Sequence, residues 1–175
     1  LRLQFNMIML YGDRRVKRKF VEYFMDVAEL TSILSGAKRL QVGCVIVKDR
    51  RILSLGYNGT PPGYDNCCEG EDGRTKPEVI HAEANAILKL AASTESAHGS
   101  VMFVTHAPCI ECAKMIISCG ISDIIYKNEY RCSDGVQLIN KCNIGVHKYS
   151  DILNTENWRF SYEYERQRVD HMHSM

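Results

Sequence analysis

From residue 81 to residue 91 the apolar positions recur at helical spacing: Ala84, Ile87, Leu88 and Ala91 stand at i, i+3, i+4 and i+7 as one stripe. A histidine and a carboxylate, His81 and Glu83, occupy the point where that stripe begins. Upstream, Phe20, Phe24, Val27, Ala28 and the stretch from Leu30 to Ile33 keep roughly the same period, and Gly36 supplies a stop, so a first helix is expected over about 20–34. Between these two segments the pattern turns strand-like. Residues 42–47 and 51–57 are β-rich runs joined by the polar "KDRR" and closed by Asn58, Gly59, Pro61, Pro62 and Gly63, which predicts a hairpin followed by a long loop.

Further on, Val101 to Thr105 is an apolar run of the length of a buried strand. Pro108 stands where proline favours the first turn of a helix, Ala113, Ile116 and Ile117 give that helix its buried side, and Gly120 ends it. A strand over 122–128, a helix over 133–142 and a last strand over 144–149 complete the order β-β-α-β-α-β-α-β after the first helix. That order predicts an α/β fold with a mixed, five-stranded central sheet and helices on both faces. The segment 157–175 is polar and aromatic with weak helical spacing, and reads as either a packed terminal helix or a frayed end. With no repeat, low-complexity stretch or linker, residues 1–175 are expected to form one domain, its core over about 20–150.

Composition narrows the function classes. At 45% hydrophobic and 25% charged, the chain has an ordinary globular make-up, and a formal net charge of +1 gives no global attraction for a polyanion. The basic run "RRVKRK", residues 14–19, reads as a solvated face. The opening "LRLQFNMIML" is interrupted by Arg2, Gln4 and Asn6 and has no small-residue cleavage site, so neither a signal peptide nor a membrane span is expected. Eight cysteines then point to reduced thiols or metal ligands and to the cytoplasm. No nucleic-acid or membrane partner is expected.

Three good zinc donors fall at two predicted helix starts: His81 at one, and Cys109 and Cys112 of "PCIEC" at the next. A catalytic zinc typically takes three protein ligands and leaves a fourth position for water, whose pKa it lowers toward about 7. Helix N-termini favour thiolate over thiol and so favour metal capture. In mid-helix His81 and Glu83 would diverge, but at a first turn both can converge beyond the helix end, leaving His81 to hold metal and Glu83 to carry protons. An isolated C-x-x-C reads as readily as a redox pair or a structural half-site; in register with H-x-E it matches a recognised signature of zinc-dependent nucleobase deaminases. Cys44, Cys119 and Cys142 read as small core residues, and Cys67 and Cys68 as structural loop residues. Asn58 before glycine is also a turn signal, His106 alone reads as packing, Tyr130 and Arg131 divide between lid and subunit contact, and His98, His147, His171 and His173 read as surface residues.

The longer runs "VGCVIVKD", "GYNGTPPGYDNCCE", "IHAEANAI" and "APCIECAKMIISCGISDIIY" resemble the deoxycytidylate (dCMP) deaminases of the zinc-dependent cytidine/deoxycytidylate deaminase family. The resemblance implies a three-layer α/β/α fold and hydrolysis of dCMP to dUMP and ammonia, supplying dUMP for thymidylate synthesis. It implies that His81, Cys109 and Cys112 hold one catalytic zinc while Glu83 moves protons between water, the base N3 and the departing amine. Asn58 would hold the sugar, and Ala82, His106 and Ala107 would border the base. Tyr130 and Arg131 would cover the nucleotide and meet its phosphate, with Arg39 as a second phosphate contact. The lead-in Ser35-Gly36-Ala37 lacks a cysteine that some relatives carry, and the insert "EGEDGRTKPEV" has no histidine, so no second zinc is expected. The resemblance also implies a homo-oligomer, with a hexamer favoured, activated by dCTP with magnesium and inhibited by dTTP. Two competing readings are a deaminase of bases within RNA or DNA and a zinc-stabilised binding module.

Overall fold

The computed structural model describes residues 17–155. The expectations for the segment 157–175, for His171 and His173 and for the start of the basic run lie outside the described residues. Helix α1, Arg18–Ser32, buries Val21, Phe24, Met25, Ala28 and Thr31, which share one face at spacings of three and four. Leu30 and Ile33, counted above toward the inner stripe, are 65% and 66% exposed.

Strands β1, Gly43–Lys48, and β2, Arg51–Tyr57, pair antiparallel. Their two-residue link, Asp49 and Arg50, holds both residues at positive φ, 51° and 62°, the left-handed pair whose twist matches that of the flanking strands. Strands β3, Val101–His106, β4, Asp123–Asn128, and β5, Gly145–Lys148, complete a sheet of order β2-β1-β3-β4-β5. The β1–β3 pair is antiparallel, and β3–β4 and β4–β5 are parallel, so the sheet is mixed as expected.

Side-chain alternation divides the core between two faces. Val45, Val47, Phe103 and Ile125 point with α1 and a short helix α5, Tyr149–Leu153, into one layer. Cys44, Ile46, Met102, Val104 and Ile124 point into the other, against α2, Ala82–Ala91, α3, Ile110–Ser118, and α4, Asp134–Lys141. The result is the α/β/α sandwich; only α5 had no counterpart in the sequence pattern. Among the described residues no helix is long and apolar enough to cross a membrane.

Three local expectations are corrected. In α2 the residues lining the core are Ala82, Ala86 and Leu90, at i, i+4 and i+8; of the predicted stripe Ala84 is buried and Ile87 packs against the core, while Leu88 and Ala91 are exposed. The helix turns its smallest residues inward because it lies against bare backbone: a Cβ at Gly56 of β2 would stand 2.1 Å from the Ala82 carbonyl oxygen and 2.5 Å from the Ala86 nitrogen. Pro108 precedes the N-cap Cys109 and so stands outside the first turn, because Cys109 is still extended at φ −73°, ψ 172°. His98 and His147 are half-buried; His147 Nε2 lies 3.2 Å from Oδ1 of Asp123, itself 1% exposed, which ties β5 to β4.

The topology collects several chain ends on one side. Because β2, β3 and β4 run in the same direction and β1 runs against them, Asn58, Ala107 and Glu129 leave the sheet where Gly43 enters it. The carboxyl ends of parallel strands are the usual place for a ligand in α/β sheets.

Candidate metal centre and active site

His81 and Cys109 occupy the same structural position, the N-cap of a helix, with extended backbones and no side-chain cap hydrogen bond. A serine or aspartate there would satisfy an orphan N–H and stabilise each helix by about 1 kcal/mol. Both positions forgo that stabilisation and turn the side chain outward instead. His81 Nδ1 stands 3.4 Å from Cys109 Sγ and 3.5 Å from Cys112 Sγ, and the three donor atoms lie within 4.8 Å of one another.

Those spacings test the fit of zinc directly. With Zn–S of about 2.3 Å, Zn–N of about 2.05 Å and a tetrahedral angle, the nitrogen and each sulfur should be about 3.6 Å apart. The observed separations agree to within the tolerance of such sites, and two sulfurs with one imidazole nitrogen is a donor set that zinc favours. Among the described residues this is the cluster of three or more metal-ligating groups, and three donors leave a tetrahedral ion one open position.

Glu83 is the second residue of α2 and is 4% exposed. Burial pushes its carboxyl up to about 7, opposed by a backbone hydrogen bond and by the nearby His81. His81 at the N-cap and Glu83 in the first turn thus share the start of α2, with His81 Nδ1 turned to the two thiols and Glu83 buried. Pairing with Cys112 holds the Cys109 thiol well below its ordinary range, and the same pairing with burial pushes Cys112 up. The hydrogen bond to Cys109 raises His81, and burial opposes it.

The remaining sequence-derived candidates have contacts of their own. Ala82 and Ala107 are buried, and the Ala107 N–H donates to the Asn128 carbonyl, 2.8 Å. His106 Nδ1 lies 3.2 Å from Thr105 Oγ1, and partial burial lowers its pKa. Tyr130 packs on the inner core, and the Arg131 guanidinium lies 5.4 Å from its ring centroid. Asn58 is bound at every polar group: its N–H donates to Val42 O, its carbonyl accepts from Ser35 Oγ, its Oδ1 accepts from Val42 N and its Nδ2 donates to Leu40 O. Arg39 is exposed and donates to the Gly73 carbonyl, 3.3 Å, while Glu69 Oε1 accepts from the backbone N–H of both Lys38 and Arg39.

Sequence reasoning passed over Thr105, whose hydroxyl accepts from the Gly43 N–H, 3.1 Å, and Asn85, whose Nδ2 donates to the Tyr57 carbonyl, 2.8 Å. A polar asparagine between the alanines of a mostly apolar helix was the available signal for the second. Thr105, within a β-rich run, offered none.

The family described as "Cytidine and deoxycytidylate deaminase zinc-binding region" matches residues 18–128, a span that contains His81, Glu83, Cys109 and Cys112. The chain belongs to this family. A dCMP deaminase from the cyanophage S-TIM5, solved in complex with dCMP and dUMP, superposes on the chain with a TM-score of 0.75 at 47% identity, covering 76% of this chain and 98% of the phage protein. The deoxycytidylate deaminase of Mycobacterium phage D29 is 34% identical over 122 residues, 62% of this chain and 94% of its own length. That of Schizosaccharomyces pombe is 29% identical over 152 residues, 80% of this chain. The chain spans 47% of the yeast protein's length, and 60% of that of the Bacillus subtilis ComE operon protein 2, which is 39% identical over 115 residues. The family match therefore joins the two helix starts and the strand between them into one recognised unit.

Proposed function

We propose that the protein hydrolyses dCMP to dUMP and ammonia with one zinc ion held by His81, Cys109 and Cys112. The observation that carries this reading is the His81, Cys109 and Cys112 cluster, whose spacing suits a three-ligand zinc, with the buried Glu83 two residues from His81 on the same helix start. Support for the substrate is the likeness to the cyanophage protein solved with dCMP and dUMP. Zinc, when bound, supplies a water acidified toward neutral pH and an electrophilic centre beside it.

The chain's own residues do the rest. Glu83 accepts a proton from the attacking water and delivers it to N3 of the cytosine ring, so that the oxygen adds at C4 without charge accumulating on the base. It then passes the second proton to the amine, which leaves C4 as ammonia while the carbonyl of dUMP forms. Enclosure suits this task, because a carboxyl raised toward neutrality both gains and loses a proton readily.

Asn58 orders the 35–42 segment through its four hydrogen bonds and in this reading also meets the sugar. Ala82, His106 and Ala107 border the base. Tyr130 covers the nucleotide, Arg131 meets the 5′-phosphate, and Arg39 is a second phosphate contact. One domain, a cytoplasmic location, a homo-oligomer and control by dCTP with magnesium and by dTTP accompany this reading. The reaction would supply dUMP for thymidylate synthesis.

Two measurements test the substrate. Arg131→Ala is expected to reduce dCMP turnover more than residual deoxycytidine turnover, since only the first carries the phosphate; equal losses on both would remove Arg131 from that role. In a panel of cytidine, deoxycytidine, dCMP, dCTP and a cytosine-containing oligonucleotide, followed by absorbance with and without dTTP, dCMP is expected to react fastest and dTTP to slow it. Preference for the oligonucleotide would overturn the assignment.

A further inference from the structure

Helix α4 meets the metal-binding loop through a residue with no side chain. Gly135 is buried at the second position of α4, and a Cβ there would stand 2.1 Å from the Pro108 carbonyl oxygen. It would also lie 2.7 Å from both the carbonyl carbon and the oxygen of Cys109. All three are backbone atoms, which cannot swing aside as a flexible side chain would. Non-bonded carbon and oxygen atoms keep about 3.5 Å apart, so an added methyl must displace α4 or the Pro108–Cys109 backbone by about 1 Å.

The displacement falls on Pro108–Cys109, and with it on the first turn of α3, because α4 is held in the core. Ile139, one turn beyond Gly135, is fully buried in the core and holds α4 down. On its other side the Cys109 carbonyl accepts from Ala113 N, 2.9 Å, which fixes it to the first turn of α3. Metal–ligand distances tolerate only about 0.2 Å, so a shift of the expected size is several times what a bound zinc can absorb unchanged.

We propose that Gly135 is a positioning residue of the metal centre: the bare contact between α4 and Pro108–Cys109 sets where Cys109 Sγ stands relative to His81 and Cys112, and thereby how tightly zinc is held. This rests on the zinc reading above. Residues that orient metal ligands from behind typically change affinity by about 10–100-fold when altered, and Gly135 acts on the ligand through its backbone.

The test uses zinc-loaded full-length chain and reads zinc release to a chromogenic chelator, together with the thiolate-to-metal absorption band after cobalt substitution. Gly135→Ala is expected to release zinc at least about tenfold faster than wild type and to shift or weaken the cobalt band. Gly43→Ala is the comparator, because its Cβ would stand 1.9 Å from the Ala28 carbonyl on the opposite face of the sheet. It is expected to lower stability in urea while releasing zinc at the wild-type rate. Zinc retention in Gly135→Ala equal to wild type overturns the proposal, as does release from Gly43→Ala as fast as from Gly135→Ala. If Gly135→Ala does not accumulate as folded protein, Ile139→Val, which loosens α4 without adding an atom, is read in the same way; faster release supports the proposal and an unchanged rate overturns it. A wild-type chain that holds no zinc overturns the metal reading itself, a result distinct from either of these.

Discussion

Glu83→Gln is expected to retain zinc and fold but to lose dCMP turnover by a factor of at least about 10², the lower end of what a positioned acid–base group contributes. The substitution preserves volume and one acceptor oxygen, so a side chain that is 4% exposed leaves no cavity when it changes. What the amide cannot do is carry a proton in both directions. Loss at this level therefore isolates proton transfer from packing, provided that zinc content is measured on the same sample. Unchanged turnover, with zinc and folding also unchanged, would remove Glu83 from the chemistry and leave a binding module as the better reading.

The second large effect is expected from Cys112→Ser. Cys112 is 1% exposed, and a hydroxyl fits the space of a thiol. The hydroxyl remains protonated where a thiolate is needed, so the soft donor is lost while the shape is kept. Zinc content should fall below one half per chain after dialysis, and turnover should fall with it. Because an ion that binds only the folded state adds about 4 kcal/mol of stability at a thousandfold excess over its dissociation constant, added zinc should raise the melting temperature of wild type and not that of the variant. An equal thermal response in the two proteins would show that Cys112 is not a ligand.

The metal site was legible in the sequence because its constraints are local. Cys109 and Cys112 are one helical turn apart, His81 opens the preceding helix, and a single strand joins the two, an order that matches a recognised signature whose donors are known to meet. The order of strands and helices was legible because β1, β3 and β4 each carry a short continuous apolar stretch between turn signals. What could not be read depended on contacts between distant segments. The inward face of α2 is chosen by the closeness of Gly56, and apolar periodicity has no means of marking that a bare strand makes alanine a better partner than leucine. The turn at Asp49 and Arg50 adopts left-handed backbone without the glycine or asparagine that normally announces it, and tertiary pairing of β1 with β2 overrides the local preference. His147 was assigned to the surface because nothing near it in sequence shows that Asp123, 24 residues away, lies beside it.

The work of Asn58 was half visible. Its place before glycine marked a turn and the resemblance marked a sugar contact, yet its four hydrogen bonds go to residues 35, 40 and 42. These partners lie on the far side of the hairpin, and only the folded register brings them together.

The chain ends that gather at one side of the sheet separate two kinds of duty. The reactive donors stand on helix tips seated against the sandwich, whereas Arg39, Asn58, Tyr130 and Arg131 belong to the segments that connect strands and helices. On the proposed reading of these residues, such an arrangement lets choosiness drift while reactivity stays put, and grafting different connectors onto this frame is expected to redirect it among pyrimidine-like compounds without rebuilding the metal-holding helix tips.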